Sequence, residues 1–566
     1  MMDTQRLIAL VVFSFSSLLL WDAWQKHNAP KLPATPPSAS VQAGVPAAPA
    51  KAPAASAPAA GVPPAAPAAG AAAPAVPAAA TERSGTPVHV RTDLFDIEIN
   101  TLGGDIKRVT MLQVHSALDR SKPLTLLEPS AKHYFVTQSG LLGEGLPTHL
   151  TPYTAEASEY ILGGRDAIEV RLKAAAGGAE VVKKFVFRRD SYLVDVSYEV
   201  TNRTDKPLAP TAYFQFMRDS NPPSEEAAQT NAFAGVTTYT GPAIYTTESK
   251  FLKVDFSDIT KGKQEHPKAA NNGWIAMIQH YFVSAWLPKD GVQREFYTNK
   301  VADNRFTAGV KVPVGAVAPG ATSTLTVPVY IGPQETDKLE KLAPGLNLVV
   351  DYGWLYILAA PLFWILKWIH GLVGNWGWAI ILLTILIKAV FYPLNAKAGR
   401  SMAQMKVLGP KMEKLKQLYG DDRAKLNQAM MELYRTEKIN PLGGCLPILV
   451  QIPVFIALYW VLLASIELRH APWLGWIQDL SAPDPYFVLP VIYAISMLVQ
   501  TKINPQPADP VQAKIMLIMP VVFSVFFLFF PSGLVLYWVV QNLLTIAQQW
   551  HINRTLAAEA KAKPRR

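Results

Sequence analysis

Residues 377–394 read GWAIILLTILIKAVFYPL, an apolar run that carries a single charge, at Lys388. A helix needs about 20 predominantly apolar residues to cross a bilayer, so this run predicts a membrane span. A charge inside a span is costly unless it faces water, protein or an anion, and it marks a functional residue by default. Lys388 also lies only about 8 Å of helix rise before Pro393, so its side chain could instead snorkel to the headgroups. The residues alone leave both interpretations open.

Six further apolar runs are candidates for membrane segments, at 7–24, 354–370, 442–464, 486–500, 515–530 and 533–547. The first is preceded only by Arg6 and is closed by the bulky Trp21 and Trp24. A cleaved signal peptide needs a basic start and a cleavage site of small residues. We therefore expect an uncleaved transmembrane anchor at 1–28, with cleavage as the weaker alternative.

Two segments of different composition follow the anchor. Residues 29–86 are almost wholly Ala, Pro, Gly and Ser, which predicts a disordered spacer. Residues 87–345 contain short alternating runs separated by Gly, Pro, Asn and Asp, which predicts a large all-β sandwich. The clearest of these runs are 88–90, 95–99, 167–172, 181–187, 192–200 and 323–331. The histidines and carboxylates of this domain have no catalytic or metal-ligand spacing, so its sequence does not reveal its role.

The charge distribution points to a membrane topology. The 566 residues include 53 Lys plus Arg, 43 Asp plus Glu and one cysteine, so the net charge is +10 and a disulfide framework is excluded. Residues 342–566 carry 20 basic and 11 acidic side chains, whereas 87–341 carry 28 and 29. Basic loops alternate with an acidic loop at 465–485, as the positive-inside rule predicts. Nucleic-acid binding is the weaker interpretation, because aromatic residues do not interleave with the basic ones on any one soluble surface.

The number of crossings decides on which side each segment lies. If the β-domain is outside and the basic segment 397–438 is inside, an odd number of spans separates them. Run 354–370 contains Pro361 and Lys367 and three tryptophans, so we expect an interfacial amphipathic helix at 346–373 and a span at 377–394. A hairpin of both runs, with the β-domain inside, is the alternative.

Residues 398–438 form a polar and basic stretch with helical spacing. Leucines and a methionine between Leu408 and Leu418 share one face, and the sequence Gly-Asp-Asp at 420–422 predicts a break with a new N-cap. We expect a cytoplasmic helical hairpin. Its methionines suit a surface that accepts varied apolar partners, although they could simply pack the two helices together. The candidates for docking a substrate are Met402, Met405, Met412, Met430 and Met431.

Four motifs, in this order, resemble the YidC family of membrane protein insertases: GNWGW at 374–378, YPL at 392–394, NPLGGCLP at 440–447 and FPSGLVLYW at 530–538. The anchor, the linker and the large β-domain resemble the Gram-negative branch of the family. In that family an Arg normally stands at the position of Lys388, and two tyrosines often stand where this chain has Tyr537 and Trp538.

The resemblance implies a polytopic α-helical membrane protein with a five-helix insertase core at 374–550, a basic cytoplasmic tail at 551–566 and a periplasmic β-supersandwich. The protein would be a multi-pass protein of the bacterial inner membrane with its C-terminus in the cytoplasm. It would insert inner-membrane proteins and help them fold, alone or with the Sec translocon. The mechanism would be physical, so neither enzymatic catalysis nor a cofactor is expected.

The resemblance also implies a hydrophilic groove, open to cytoplasm and lipid, that receives the substrate. The residues of this sequence expected to line it are Lys388, Thr384, Gln451, Ser524, Tyr537, Trp538, Gln541 and Asn542. The expected partners are nascent membrane proteins, the Sec translocon and its accessory subunits, the ribosome and the signal recognition pathway, and the lipid bilayer, but not DNA.

Two other classes of function remain open. A secondary transporter with Lys388 as its ion or substrate site would require repeated halves with broken helices, and no internal repeat is evident. A membrane-anchored protein that binds or processes glycans with the β-domain would require aromatic and carboxylate side chains that meet in space.

Overall fold

The computed structural model describes residues 76–77, 85–117, 119–223, 238–419, 422–437, 446–503 and 510–562. The predicted anchor at 1–28 lies outside the described residues, and so does nearly all of the predicted linker at 29–86. The described chain consists of a β-domain followed by a helical region.

The β-domain contains nineteen strands and two short helices in the part of the chain that the structure describes. The strands are β1 (Pro87–Arg91), β2 (Phe95–Asn100), β3 (Asp105–His115), β4 (Pro123–Pro129), β5 (Tyr134–Leu142), β6 (Thr154–Ala155), β7 (Glu159–Ile161), β8 (Ala167–Ala176), β9 (Ala179–Arg188), β10 (Leu193–Asn202), β11 (Thr211–Arg218), β12 (Gly241–Thr246), β13 (Lys250–Lys253), β14 (Ala269–Ala270), β15 (Trp274–Gln279), β16 (Phe282–Trp286), β17 (Arg294–Ala302), β18 (Arg305–Pro313) and β19 (Thr322–Pro333). The helices are α1 (Phe256–Thr260) and α2 (Thr336–Leu342).

These strands form two sheets that share one apolar core. The first sheet has ten strands in the order β14-β17-β18-β11-β5-β4-β3-β2-β1-β7, and the second has nine in the order β13-β12-β15-β16-β19-β10-β9-β8-β6. Neighbouring strands are antiparallel, whereas β1 and β7 pair in parallel. Five of the six runs that the sequence predicts as strands lie wholly within strands, and the run 192–200 begins one residue before β10.

The alternation of residues in the strands creates this core. Successive side chains of a strand point to opposite faces of the sheet. In β9 the apolar Val181, Phe185 and Phe187 are buried, while Lys184 between them is partly exposed. Phe187 pairs with Val194 of β10, which is also buried. One face of the pair therefore packs inward and the other faces solvent.

The connection to the helical region covers the second sheet. Every residue of β15 and β16 is buried, which an alternating strand with one face in solvent cannot achieve. Leu339 of α2, followed by Leu346 and Val349, belongs to the same apolar core. The indole N–H of Trp274 donates to the Pro344 carbonyl at 3.0 Å. The chain thus leaves the β-domain across the outer face of its own sheet.

The helical region contains nine further helices in its described residues. They are α3 (Tyr356–Val373), α4 (Trp376–Val390), α5 (Tyr392–Val407), α6 (Gly409–Tyr419), α7 (Arg423–Thr436), α8 (Leu446–Ala464), α9 (Val488–Ile503), α10 (Pro510–Phe527) and α11 (Ser532–Ala562). Short 3₁₀ turns occur at Leu346–Val349, Gly353–Leu355 and Ile466–Leu468.

Two predicted helices differ in their extent from the sequence-based boundaries. The interfacial helix predicted at 346–373 begins only at Tyr356, because Gly353 adopts a left-handed φ of 63° that interrupts the helical backbone. The predicted span at 377–394 is divided, since α4 ends at Val390 and α5 begins at Tyr392 with Pro393 in its first turn. Proline is tolerated there because the first N–H groups of a helix have no intrahelical partner.

Length and composition identify few helices that could cross a membrane unaided. Among the described residues, Gly353–Val373 is long and apolar enough, and Trp376–Val390 with Tyr392–Met405 would qualify as one span bent by 69°. Val450–Ala464, Val488–Ile503 and Leu517–Phe527 are shorter apolar helices.

Helices α6 and α7 form the predicted hairpin. The Asp422 side chain accepts hydrogen bonds from the backbone N–H groups of Ala424 and Lys425, both at 3.1 Å, so the predicted N-cap is confirmed. The Lys411 ammonium lies 2.6 Å from the Glu437 carboxylate and joins the two helices at their open end.

The β-domain docks on the loop between α8 and α9. Arg469 of this loop donates to the His115 carbonyl at 2.9 Å, and its guanidinium lies 5.4 Å from the ring centre of Phe282. Arg120 at the other end of the same β-domain loop lies 3.0 Å from the Asp479 carboxylate. Charged groups of both parts therefore meet at a partly buried interface.

His280 makes the stability of the folded protein sensitive to pH. Its Nε2 lies 2.9 Å from the Leu463 carbonyl at the end of α8, and burial lowers the pKa of His280 to about 4. The folded protein keeps His280 neutral, while the unfolded chain takes up a proton below about pH 6.5. Stability is therefore complete above about pH 6.5 and falls as the pH approaches 4, by up to about 3 kcal/mol.

We expect His280→Gln to flatten the fall of the unfolding temperature between pH 6.5 and 4, because the amide keeps a donor for Leu463 and does not titrate. Thermal unfolding in detergent, followed by tryptophan fluorescence, measures this difference. His89→Gln is the control, since His89 is exposed on β1. An unchanged slope in His280→Gln would contradict the assignment.

Candidate functional site

A cavity of about 570 Å³ lies among five helices of the helical region. Its lining residues are Lys388 of α4; Asn395, Ala398, Gly399, Met402 and Met405 of α5; Gln451, Ile452 and Phe455 of α8; Tyr493, Met497 and Gln500 of α9; and Tyr537, Trp538, Gln541, Asn542, Thr545, Gln548 and Gln549 of α11.

Helix α11 supplies a continuous polar stripe to this cavity. Its lining residues from Trp538 to Gln549 recur three or four positions apart, which is the spacing of one helix face. At 1.5 Å of rise per residue the stripe is about 16 Å long. The arrangement presents a ladder of amide and hydroxyl groups along one wall.

Lys388 supplies the charge of the cavity. It lies in the last turn of α4, where free backbone carbonyls favour a positive side chain. No Asp or Glu occurs among the lining residues, and no carboxylate in the described part of the chain lies within ion-pair distance of Lys388. Nor do the described residues contain a group of His, Cys, Asp and Glu that could hold a metal ion. The cavity therefore favours an anionic or electron-rich occupant.

Part of the hydrogen-bonding capacity of the amides is used within the protein. Gln541 Nε2 donates to Gln451 Oε1 at 3.4 Å, and Asn542 Nδ2 donates to Ser496 Oγ at 2.7 Å. In contrast, the buried Gln451 Nε2, Gln541 Oε1 and Asn395 Nδ2 have no partner among the described residues. Buried polar atoms are costly without partners, so these groups are suited to water or a polar ligand.

Aromatic rings close one end of the cavity. The ring centres of Phe455 and Trp538 lie 4.5 Å apart, and those of Tyr493 and Phe527 lie 4.6 Å apart. Phe527 also approaches Trp538 at 6.0 Å, which joins the two pairs into one cluster. Such packing excludes water, so polar groups line the cavity only on the side away from this cluster.

A glycine allows α5 to approach α11 closely. A Cβ at Gly399 would lie 2.7 Å from Ile552 Cδ1 and 3.0 Å from Gln549 Oε1, which is closer than normal packing permits. Gln549 Nε2 lies 3.5 Å from the Gly399 carbonyl. A side chain at this position would therefore have to displace the ends of the Ile552 and Gln549 side chains.

Six of the eight residues predicted for the groove line the cavity, namely Lys388, Gln451, Tyr537, Trp538, Gln541 and Asn542. Thr384 and Ser524 lie outside the lining. Each hydroxyl donates to a carbonyl four residues earlier, Thr384 to Ile380 and Ser524 to Pro520, both at 2.7 Å. A buried hydroxyl that is satisfied by its own helix has no need of a wet cavity.

The predicted methionines occupy two different places. Met402 and Met405 line the cavity from α5, before the hairpin begins. Met412 and Met430 are half-buried in the hairpin, where Met412 Sδ lies 3.8 Å from the Tyr434 hydroxyl. Met431 is 62% exposed, so a methionine surface accessible to a partner is present on α7.

Several lining residues are absent from the sequence-based prediction. They are Asn395, Gln500, Thr545, Gln548 and Gln549 among the polar ones, and Ala398, Gly399, Ile452, Phe455, Tyr493 and Met497 among the others. The spacing from Gln541 to Gln549 was a usable signal, because these polar residues share one face of a helix. The residues of α5 and α9 carry no such signal, since only the packing of separate helices brings them together.

Comparisons with known proteins give consistent results. Residues 87–365 match the family described as YidC periplasmic domain, and residues 368–560 match the family described as 60Kd inner membrane protein. The membrane protein insertase YidC of Aromatoleum aromaticum is 54% identical over 100% of both chains. That of Nitrosospira multiformis is 51% identical over 99% of this chain and 98% of the relative. A solved structure of an active YidC insertase with its first transmembrane domain resolved covers 82% of this chain and 92% of its own, with 19% identity and a TM-score of 0.39.

We expect Gly399→Leu to destabilise the protein by about 1–3 kcal/mol, because the side chain forces α5 away from Ile552 and Gln549. Unfolding in mixed micelles with increasing SDS, followed by tryptophan fluorescence, measures this loss. Gly371→Leu is the matched control, since a Cβ at this helical glycine of α3 meets nothing within 4 Å. Equal stability of the two variants would show that the close approach at Gly399 does not set the packing.

Proposed function

The chain belongs to the YidC family of membrane protein insertases, and we propose that the cavity is the groove in which it receives the polar tail of a membrane protein during insertion. One observation supports this proposal above the others. A lone cation, Lys388, and a ladder of amides lie inside a group of helices whose outer surfaces are apolar. Such a combination offers polar contacts at a depth where lipid offers none.

The outer surfaces of the helices support contact with lipid. Leu517, Val521 and Val525 follow one another on one side of α10, and each is about half exposed. Val491 and Ile495 of α9 are exposed in the same way. Contiguous apolar surfaces of this kind are not stable in water, so they suit a bilayer or the apolar helix of a substrate. In the proposed mechanism the substrate helix moves into lipid along α8 and α10.

The groove lowers the cost of moving a polar tail across the membrane. A charged side chain in the centre of a bilayer costs about 2.5–3.5 kcal/mol on insertion scales. Lys388 attracts an acidic residue of the tail, and the free amide groups of Gln451 and Asn395 donate to its backbone carbonyls or to accompanying water. Because these contacts exist only within the groove, the tail leaves it once the apolar helix has entered lipid. No covalent step is required.

The proposed topology follows from charge and amphipathicity. The five-helix core consists of α4 with the start of α5, and of α8, α9, α10 and α11. The basic hairpin α6–α7 and the C-terminus lie in the cytoplasm, while the β-domain is periplasmic. Helix α3 lies at the membrane interface, with the exposed Trp364 and Trp368 on its apolar side and the exposed Trp354 in the 3₁₀ turn before it. An N-terminal anchor at 1–28 completes the multi-pass protein.

The proposed partners are nascent membrane proteins and those that deliver them. The hairpin receives an emerging apolar segment through its exposed Met431 and neighbouring side chains. The basic tail at 551–566 is suited to the ribosome or to anionic lipid. Cooperation with the Sec translocon and with the signal recognition pathway is part of the same proposal. A secondary transporter that uses Lys388 is the alternative function.

We expect the insertion of a single-span substrate with one Glu in its short tail to depend on the charge at position 388. Lys388→Arg retains the charge and the rate, Lys388→Ala lowers the rate about tenfold, which corresponds to about 1.4 kcal/mol, and Lys388→Glu lowers it further. Proteoliposomes that contain each variant, with protease protection of the tail as readout, measure these rates.

A substrate with Lys in place of the tail Glu tests the sign of the interaction, and here Lys388→Glu should insert best. Lys263→Glu is the control variant, because Lys263 is exposed in the β-domain. If Lys388→Glu inserts the acidic tail as well as Lys388→Arg does, the electrostatic role is wrong. If depletion of the protein abolishes the uptake of a solute while insertion stays normal, the transporter is favoured.

A further inference from the structure

Asp479, in the loop between α8 and α9, contacts three parts of the protein although it lies outside the cavity. Its Oδ1 accepts hydrogen bonds from the Ser481 N–H at 2.9 Å and the Ser481 hydroxyl at 2.6 Å. Its Oδ2 lies 3.0 Å from Arg120 Nη2 of the β-domain and 3.0 Å from His470 Nδ1. Burial alone would raise the pKa of Asp479, but the nearby His470 ring and the hydrogen bonds from Ser481 hold the pKa below its usual value. The carboxylate is therefore ionised, and each of its two oxygens has polar contacts.

The same loop holds the beginning of α11. The Ser532 hydroxyl donates to the Asp479 carbonyl at 2.8 Å, the Gly533 N–H donates to Leu480 at 2.9 Å and the Ser532 N–H donates to Ala482 at 2.7 Å. The first N–H groups of a helix have no partners within the helix, so these loop carbonyls determine where α11 starts. Tyr537, the first cavity residue of α11, follows only one turn later.

The loop also holds the beginning of α4. Asn375 Nδ2 donates to the carbonyls of Pro472 and Trp473 at 3.1 and 3.2 Å, while its Oδ1 caps the helix at Trp378. A Cβ at Gly377 would lie 2.2–2.6 Å from the Trp473 side chain, so only glycine permits this contact. The GNWGW motif at 374–378 therefore serves to join α4 to the loop.

Strain in the loop indicates that its contacts determine its shape. His470 adopts a φ of 57°, a left-handed conformation that is unfavourable for a residue other than glycine. Such a conformation persists where surrounding contacts require it. His470 lies against the Asp479 carboxylate, and its Nε2 lies 3.3 Å from the His115 carbonyl.

We propose that Asp479 is a positioning residue of the insertion groove: it fixes the loop that holds the starts of α4 and α11, and thereby the position of Lys388 relative to the amides of α11. The inference rests on the proposed function. Arg120 has a smaller part, because its side chain is 50% exposed and ion pairs in such positions contribute little. The carboxylate and its contacts within the helical region carry the effect.

The insertion assay with full-length protein in proteoliposomes tests this assignment. Asp479→Ala should lower the rate per folded protein for the acidic-tail substrate about tenfold, and for a neutral tail clearly less, because displacement of Lys388 weakens only the charged contact. Arg120→Ala should stay within about twofold of the wild type. Arg188→Ala, which removes the pair with Asp195 in the β-domain, is the control.

A distance measurement separates positioning from a general loss of structure. Spin labels at Leu386→Cys of α4 and Leu543→Cys of α11, both on exposed positions, are introduced after Cys445→Ser, since Cys445 is the only cysteine. Asp479→Ala should broaden or shift the distance between the labels, and Arg120→Ala should not. If Asp479→Ala does not fold, Asp479→Asn replaces it, because the amide keeps the size of the side chain and removes its charge.

The result that overturns the assignment is an unchanged label distance together with an unchanged preference for the acidic tail in folded Asp479→Ala or Asp479→Asn. Lys388→Glu in the same assay distinguishes a failure of the positioning role from a failure of the proposed groove. If Lys388→Glu impairs insertion while these variants do not, the positioning role alone is wrong. If Lys388→Glu has no effect, the proposed groove itself is wrong.

Discussion

The charge of the half-buried Lys388 is the constraint around which the helical region is organised. Within the described residues no carboxylate neutralises it, and the lining of the cavity adds amides and hydroxyls but no second charge. An ion with no counter-ion inside an apolar bundle is tolerable only where polar groups or water surround it. The amides and hydroxyl from Gln541 to Gln549 line the same cavity as Lys388, so they keep its surroundings polar.

The two ends of the cavity differ because the face of α11 that lines it is aromatic near the start of the helix and polar further along. Near its start, Tyr537 and Trp538 pack with Phe455 and Tyr493 into an aromatic cluster that excludes water. From Gln541 onward the same face is polar. The loop that carries Asp479 holds the start of α11 and contacts the β-domain, so the closed end is also the anchored end. In the proposed function, a groove that is sealed on one side and polar on the other admits a tail without opening a pore.

The sequence predicts best those features that depend on a single strand, helix or turn. Period-two alternation identified strands such as 181–187 and 192–200, and the Gly-Asp-Asp break at 420–422 identified the N-cap at Asp422. Lys388 and the amides of α11 were identifiable because a polar residue in an apolar run is conspicuous. Asn395 and Tyr493 were not, since only the packing of α5 and α9 brings them to the cavity. Polarity alone also misplaced Ser524, whose hydroxyl is satisfied within its own helix.

The choice of lysine affects how the groove recognises an anion. A guanidinium group offers a planar fork that fixes the orientation of a carboxylate, whereas an ammonium group is a compact charge on a flexible stem. In this chain the directional donors lie on other residues, because Gln451 Nε2 and Asn395 Nδ2 are buried and unpartnered among the described residues. Attraction and orientation are thus divided between separate side chains. Anion recognition in the proposed groove therefore depends on the position of α4 relative to α5, α8 and α11. This dependence is weaker where one arginine supplies both attraction and orientation. The loop that anchors α4 and α11 is important for this reason.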